Sequence, residues 1–199
     1  MVLKNIDRLP YPGNWSRPVG EHFSPRETIA IILHPFFQIP IDLVPALDGE
    51  EYQCFDLGDL PTVTWQQVLS LTKIESIGAI AHGLMNFVFR NIETPGEPKT
   101  LAALMELRAK GILLPDAHGI SSSLIPVLKD QFDRSFGGHL SHPEDSKILS
   151  SPNCEAVVIC LADQFFSYVA GPESFVSDLC KNSSLEISVV SPNTPLAWY

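Results

Sequence analysis

Positive charge is scarce in this sequence. Its 199 residues include 13 Lys and Arg against 23 Asp and Glu, which gives a formal net charge of −10. Proteins that bind nucleic acid use clustered Lys and Arg to displace counterions from phosphates, and the sequence holds no such cluster. The acidity also disfavours adsorption to anionic lipid surfaces. We therefore expect neither nucleic acid nor a membrane among the partners.

Long uninterrupted apolar runs are missing as well. The opening stretch, MVLKNIDRLPYPGNW, lacks the continuous apolar core of a secretory signal. The most hydrophobic segment, 28–47, is broken by Pro35, Pro40 and Pro45, and a membrane-spanning helix tolerates such breaks badly. The expectation is a soluble, cytoplasmic protein.

Sequence motifs that indicate a known chemistry are absent too. The four cysteines, Cys54, Cys154, Cys160 and Cys180, match no zinc pattern and no disulfide-dense scaffold. The sequence contains no phosphate-binding loop, dinucleotide fingerprint, HExxH pair, EF-hand loop or GxSxG elbow. No resemblance to a known family stands out, so fold and function are predicted from pattern alone.

Apolar residues and proline are what the chain has in quantity. Hydrophobic residues make up 45% and charged residues 18%, which is enough for a real core and argues against disorder. Prolines and glycines cluster in 1–23 and predict an irregular arm. We expect this arm to pack on a single globular domain that spans 24–199.

Signals for the start of a helix recur along the chain. Capping boxes begin at Ser24 and Thr64, and the first of them favours a short helix through the apolar run that follows. Helical spacing of apolar residues predicts one long helix over 64–91, or two joined near Gly78. Further helices are predicted at 100–110, 121–136, from 141, 152–169 and 172–181. A strand is predicted at 185–191, with 28–33 or 51–57 as its partner.

These signals predict a mainly α fold. It is a compact multi-helix domain with an irregular Pro-rich N-terminal arm and a small two-stranded sheet. The alternative is an α/β fold with strands near 28–33, 155–161 and 185–190. It stays open because a short apolar run such as CEAVVICLADQFFSYVA does not distinguish a buried helix from a buried strand.

The six histidines are the natural candidates for chemistry, since neutral imidazole serves metals, haem and proton transfer. His82 lies in SIGAIAHGLMNFVFR (76–90), where small residues let a flat ligand or another helix approach the backbone. The competing interpretation is close helix packing, with His82 bonded to a carbonyl. Arg90 follows on the same helix and suits a carboxylate or a haem propionate.

Two further groups contain histidine. Asp116 is placed to orient His118 just before a run of serines at 121–123, where a serine could act as nucleophile or bind an anion, or simply cap the helix. His139 and His142 have a spacing that can bind one metal, although the capping box of the same segment explains much of it. We predict His82, His118 and Asp116 as catalytic residues and His139, His142 and Arg90 as cofactor-binding residues, with no metal ligand assigned.

Two classes of function fit these features. The first is a small helical enzyme or ligand-binding protein, with an apolar, histidine-containing pocket between helices at 76–89 and 154–169. A small apolar molecule would be its partner, and haem or a divalent metal is the candidate cofactor; an enzyme is favoured, of unknown reaction. The alternative is a non-enzymatic protein–protein interaction module, with a homodimer as one form, that docks through its Pro-rich segments at 35–45 and 94–98.

Overall fold

The structure is a computed structural model that describes residues 20, 23, 27–42, 59–74, 76–77, 79–80, 98–113, 115, 119–137, 148–152, 154–160 and 164–194. The chain divides into two compact units. The first unit comprises Met1–His34 and Ala117–Trp198, and the second comprises Pro35–Asp116 with Tyr199. In the described ranges, eight strands form two antiparallel sheets and four helices accompany them.

The first unit holds strands β1 (Thr28–Leu33), β5 (Ile148–Ser150), β6 (Val157–Ile159), β7 (Phe166–Gly171) and β8 (Ile187–Val190), with helices α3 (Ile125–Phe136) and α4 (Glu173–Cys180). The second unit holds strands β2 (Phe36–Gln38), β3 (Thr62–Val63) and β4 (Ile112–Leu113), with helices α1 (Trp65–Thr72) and α2 (Pro98–Ala109).

The sheet of the first unit has the strand order β5-β6-β7-β1-β8, and all neighbours are antiparallel. Its longest ladder joins β1 to β7, from Thr28 opposite Gly171 to Leu33 opposite Phe166. On the other side of β1 lies β8. The predicted strand at 185–191 is therefore confirmed, and of its two candidate partners 28–33 pairs with it.

Both faces of this sheet are buried along its central strands β6, β7 and β1. Alternate residues of its central strands, such as Ala30, Ile32 and Val169, share one core with α3 and α4. The intervening residues, such as Ile31 and Tyr168, share a second core with Phe23. Because side chains alternate along a strand, a strand buried on both faces is apolar throughout.

This double burial explains why the mainly α prediction is wrong. The segment 28–33 is β1 rather than a short helix, and 152–169 contains β6 and part of β7 rather than a central buried helix. A continuous apolar run satisfies helical and extended spacing equally well. The alternative with strands near 28–33, 155–161 and 185–190 placed three strands correctly, but it missed β7, the antiparallel partner of β1 and β6.

The second unit places β2 at the centre of a three-stranded sheet, between β3 and β4. Phe36 of β2 packs edge-on against Trp65 at the start of α1, with ring centroids 5.1 Å apart. The predicted capping box is confirmed: the Thr64 backbone N–H donates to Gln67 Oε1 at 2.8 Å, and the Gln67 N–H donates to Thr64 Oγ1 at 3.2 Å. Local side-chain chemistry thus sets where this helix begins.

The helix that begins at Thr64 is shorter than predicted. Lys73 ends the helix in a left-handed conformation with φ of 58°. Its backbone N–H donates a hydrogen bond to the Leu69 carbonyl. Helical residues resume by Ile77, so one continuous helix is wrong, and the break comes before Gly78. The rest of the predicted segment, 81–91, lies outside the described residues, as do the predicted helix from 141 and the candidate strand at 51–57.

The other predicted helices are confirmed as α2, α3 and α4, although α3 begins later than expected. Glycine ends two of them as predicted: Gly137 caps α3 with φ of 61°, and Gly111 follows α2 with φ of 77°. Among the described helices, none has the length and hydrophobicity to cross a membrane.

Candidate functional site

The six residues predicted from the sequence lie outside the described residues: His82, Arg90, Asp116, His118, His139 and His142. Their catalytic and cofactor-binding roles, including a role for haem or a divalent metal, therefore stay predictions. Within the described ranges, no group of three or more His, Cys, Asp and Glu side chains is arranged to hold a metal ion.

A buried hydrogen bond joins the end of β1 to β7. His34 and Ser167 both have 0% of their surface exposed, and His34 Nε2 lies 2.7 Å from Ser167 Oγ. The backbone continues the pairing, since the His34 N–H donates to the Phe165 carbonyl at 2.9 Å. Ser167 stands opposite Ile32, so it lies on the face of the sheet that α3 and α4 cover.

The His34–Ser167 pair has the spacing of an activated serine nucleophile and its base. Neither side chain reaches solvent, however, and a nucleophile must contact its substrate. The pair therefore acts as an interior link between the two longest strands. Its polar atoms satisfy each other inside an apolar core, where an unpaired polar group is costly.

We expect Ser167→Ala to lower the free energy of unfolding by about 1–3 kcal/mol, because His34 Nε2 loses this buried partner. The matched control is Ser177→Ala on the exposed side of α4, which should change stability by less than about 0.5 kcal/mol. Denaturant unfolding of the full chain measures both. Equal effects of the two substitutions would contradict the structural role of the buried pair.

An open cavity of about 490 Å³ lies between α3 and α4. Four of its residues belong to α3 and the others to the start and middle of α4, together with the proline that precedes α4. They are Gln131, Arg134, Ser135, Phe136, Pro172, Ser174, Phe175 and Asp178. Its volume falls within the range of about 300–1,000 Å³ that small-molecule sites occupy.

Two phenylalanine rings form the apolar part of the cavity. The centroids of Phe136 and Phe175 lie 5.2 Å apart, with the ring planes at 53°. Phe132, which is 1% exposed, packs against both rings at centroid distances of 5.8 and 4.9 Å. The core therefore holds the cavity rings in place before any ligand arrives.

Opposite charges line the cavity from different helices. Arg134 lies on α3 and Asp178 on α4. Each already has an ion pair on its own helix: Arg134 contacts Asp130, and Asp178 Oδ1 accepts from Lys181 Nζ at 2.8 Å. All four side chains are more than half exposed, so these pairs add little stability and leave both charges accessible to a ligand.

Known proteins do not resolve the function of this site. No protein-family model, curated protein or solved structure matches the chain. The physical properties of the cavity are therefore the basis for a functional proposal.

Sequence reasoning missed the cavity, although one signal was present. Leu128 and Phe132 of α3 are buried, as is Leu124 just before the helix, and Gln131 lies among them at only 6% exposure. Gln131 Nε2 donates to Ser135 Oγ at 3.2 Å on the cavity wall. A polar residue at a buried helical position indicates that the helix borders something other than a dry core.

The described lining of the cavity contains no cysteine. Of the three cysteines in the described part of the chain, Cys154, Cys160 and Cys180, all are free thiols and Cys160 alone is buried. Partial burial raises the pKa of the Cys180 thiol above its usual value. Because the thiolate is the reactive form, Cys180 is a poor nucleophile near neutral pH.

Proposed function

We propose that this protein binds a small organic molecule in the cavity between α3 and α4. The observation that supports the proposal is a space of about 490 Å³ bordered by five polar side chains, two phenylalanine rings and a proline. Small-molecule sites occupy about 300–1,000 Å³ and combine apolar walls with a small number of polar groups that orient the ligand.

The position of the cavity also favours binding. Its polar groups stand mainly on two regular helices, and both helices contribute side chains to the core under the sheet face that they cover. Sites built on helices hold their side chains more precisely than sites on loops. A ligand would then lose less free energy in ordering the protein than it would at a mobile surface.

This proposal keeps the ligand-binding function predicted from the sequence and assigns the pocket to different residues. The pocket was expected between helices at 76–89 and 154–169, but the second of these segments contains β6 and the start of β7. The described cavity lining also contains no histidine. An enzymatic role for His82, and the protein–protein interaction module, stay separate predictions.

A cavity-filling substitution tests the proposal. Ser135 lines the cavity and is exposed, so Ser135→Trp should occupy the space without disturbing the core. The matched control is Asp133→Trp, at an exposed position of the same helix outside the cavity lining. The measurement is ligand-observed NMR of the full chain with a library of small aromatic and polar fragments.

The expected result is that fragments bind to the wild-type protein and to Asp133→Trp, while Ser135→Trp loses that binding. Fragment binding that survives in Ser135→Trp, or a wild-type protein that binds no fragment, would overturn the proposal. Thermal unfolding of both variants verifies that a loss of binding does not reflect a loss of fold.

A further inference from the structure

We infer that the ligand of this cavity is a small zwitterion with an apolar ring, the chemical class to which the free aromatic amino acids belong. The inference rests on the proposed function and names the kind of molecule that the site would select. Three properties of the lining support it. The lining contains one positive and one negative side chain, both of these side chains can form further hydrogen bonds, and the lining includes two phenylalanine rings.

The first property is the presence of one positive and one negative side chain in the lining, each on a different helix. Arg134 from α3 offers a planar guanidinium, which suits a carboxylate because it can donate two parallel hydrogen bonds. Asp178 from α4 offers a carboxylate, which accepts from an ammonium group. A ligand with both groups complements both side chains, whereas a ligand with one charge leaves one side chain unmatched.

The second property is that the existing ion pairs leave room for a ligand. Arg134 has five N–H donors, and its contacts with Asp130 engage Nη2 and, at 3.4 Å, Nε. Of the two carboxylate oxygens of Asp178, Oδ1 accepts the bond from Lys181 Nζ. A ligand can therefore add bonds to both side chains without first breaking the helix pairs.

The third property is the apolar part of the lining. The rings of Phe136 and Phe175 and the side chain of Pro172 line the same cavity. Aromatic rings prefer tilted or edge-on neighbours, and the two cavity rings already meet at 53°. A ring of the ligand can join this arrangement, which favours an aromatic zwitterion over a sugar or a free inorganic ion.

The probes for a test are L-phenylalanine, 3-phenylpropionate and 2-phenylethylamine, measured by calorimetric titration of the full chain. The second lacks the ammonium group and the third lacks the carboxylate. We expect L-phenylalanine to bind about tenfold more tightly than either, the ratio expected for the loss of one charge-assisted hydrogen bond.

Two substitutions should remove this preference selectively. Arg134→Gln should abolish the advantage of L-phenylalanine over 2-phenylethylamine, and Asp178→Asn its advantage over 3-phenylpropionate. The charge-matched controls are Lys129→Gln on α3 and Glu173→Gln on α4, which lie outside the cavity lining and should leave all three affinities unchanged.

The outcomes separate this inference from the proposed function. Equal affinities of the three probes, or no binding of L-phenylalanine while other fragments still bind in a Ser135→Trp-sensitive manner, would overturn the zwitterion inference alone. If binding of every probe and fragment is insensitive to Ser135→Trp, the proposed function fails with it.

Discussion

Phe132→Ala should lower the free energy of unfolding by about 3–5 kcal/mol, the cost of deleting a buried aromatic side chain and leaving a cavity. Phe132 is 1% exposed and belongs to the core that α3 and α4 share with the sheet. Its ring also packs against the rings of Phe136 and Phe175. Those neighbours are anchored in different helices, so they cannot simply collapse into the space.

Denaturant unfolding of the full chain measures this effect. Met105→Ala is the control, because Met105 on α2 is 62% exposed and its truncation should cost less than about 0.5 kcal/mol. Phe132→Leu keeps most of the apolar volume, so its loss of unfolding free energy should lie between those of Phe132→Ala and Met105→Ala. A loss below about 1 kcal/mol for Phe132→Ala would contradict the packing described for α3.

Phe132→Ala should also weaken ligand binding in the proposed cavity. Its ring supports both cavity rings, so its removal gives Phe136 and Phe175 more rotamer freedom that a ligand would have to restrict. The substitution thus tests whether the cavity depends on the core, provided that binding is measured where the variant is folded.

Gly111→Ala is the second substitution with a large expected effect. Gly111 has φ of 77°, a left-handed conformation that costs a residue with a side chain about 1–2 kcal/mol. A Cβ there would also overlap the Ile39 carbonyl oxygen and lie 2.9 Å from Gln38 Nε2. Overpacking of this kind adds about 1–3 kcal/mol, so we expect a total loss of about 2–5 kcal/mol.

Gly137→Ala is the matched control for this prediction. Gly137 has a similar φ of 61°, but a Cβ at this position meets nothing within 4 Å. Gly137→Ala should therefore lower the free energy of unfolding only by the conformational cost of a left-handed residue, about 1–2 kcal/mol. Denaturant unfolding measures the loss of unfolding free energy for each substitution. The difference between the two losses gives the cost of the close approach of Gly111 to the end of β2. Equal losses would show that this approach is absent.

The backbone around Gly111 explains why the approach is close. The Ile39 N–H donates to the Gly111 carbonyl at 2.8 Å, and the Gln38 side chain donates to the carbonyls of Ile39 and Lys110. The turn after α2 is therefore bonded directly to the end of β2. The sequence indicated a glycine that ends a helix, but not that another strand lies against it.

Local features of the sequence determined where several elements begin and end. Thr64 and Gln67 form their capping box within one turn of helix, and Gly137 ends α3 through its own backbone conformation. Pro172 directly precedes α4 as predicted. Each of these outcomes depends on residues that are neighbours in the chain, so a single sequence is sufficient to predict them.

Only the tertiary structure decided the fold class and the described candidate site. The segments 28–33 and 154–170 are apolar at successive positions because β1, β6 and β7 are buried on both faces, and that pattern also fits a buried helix. Hydrogen bonds to distant strands select the extended form. The cavity likewise requires α3 and α4, about 40 residues apart in the chain, to lie side by side on one sheet face. Local propensity carries no information about such pairings, since their free energy arises only when distant segments meet.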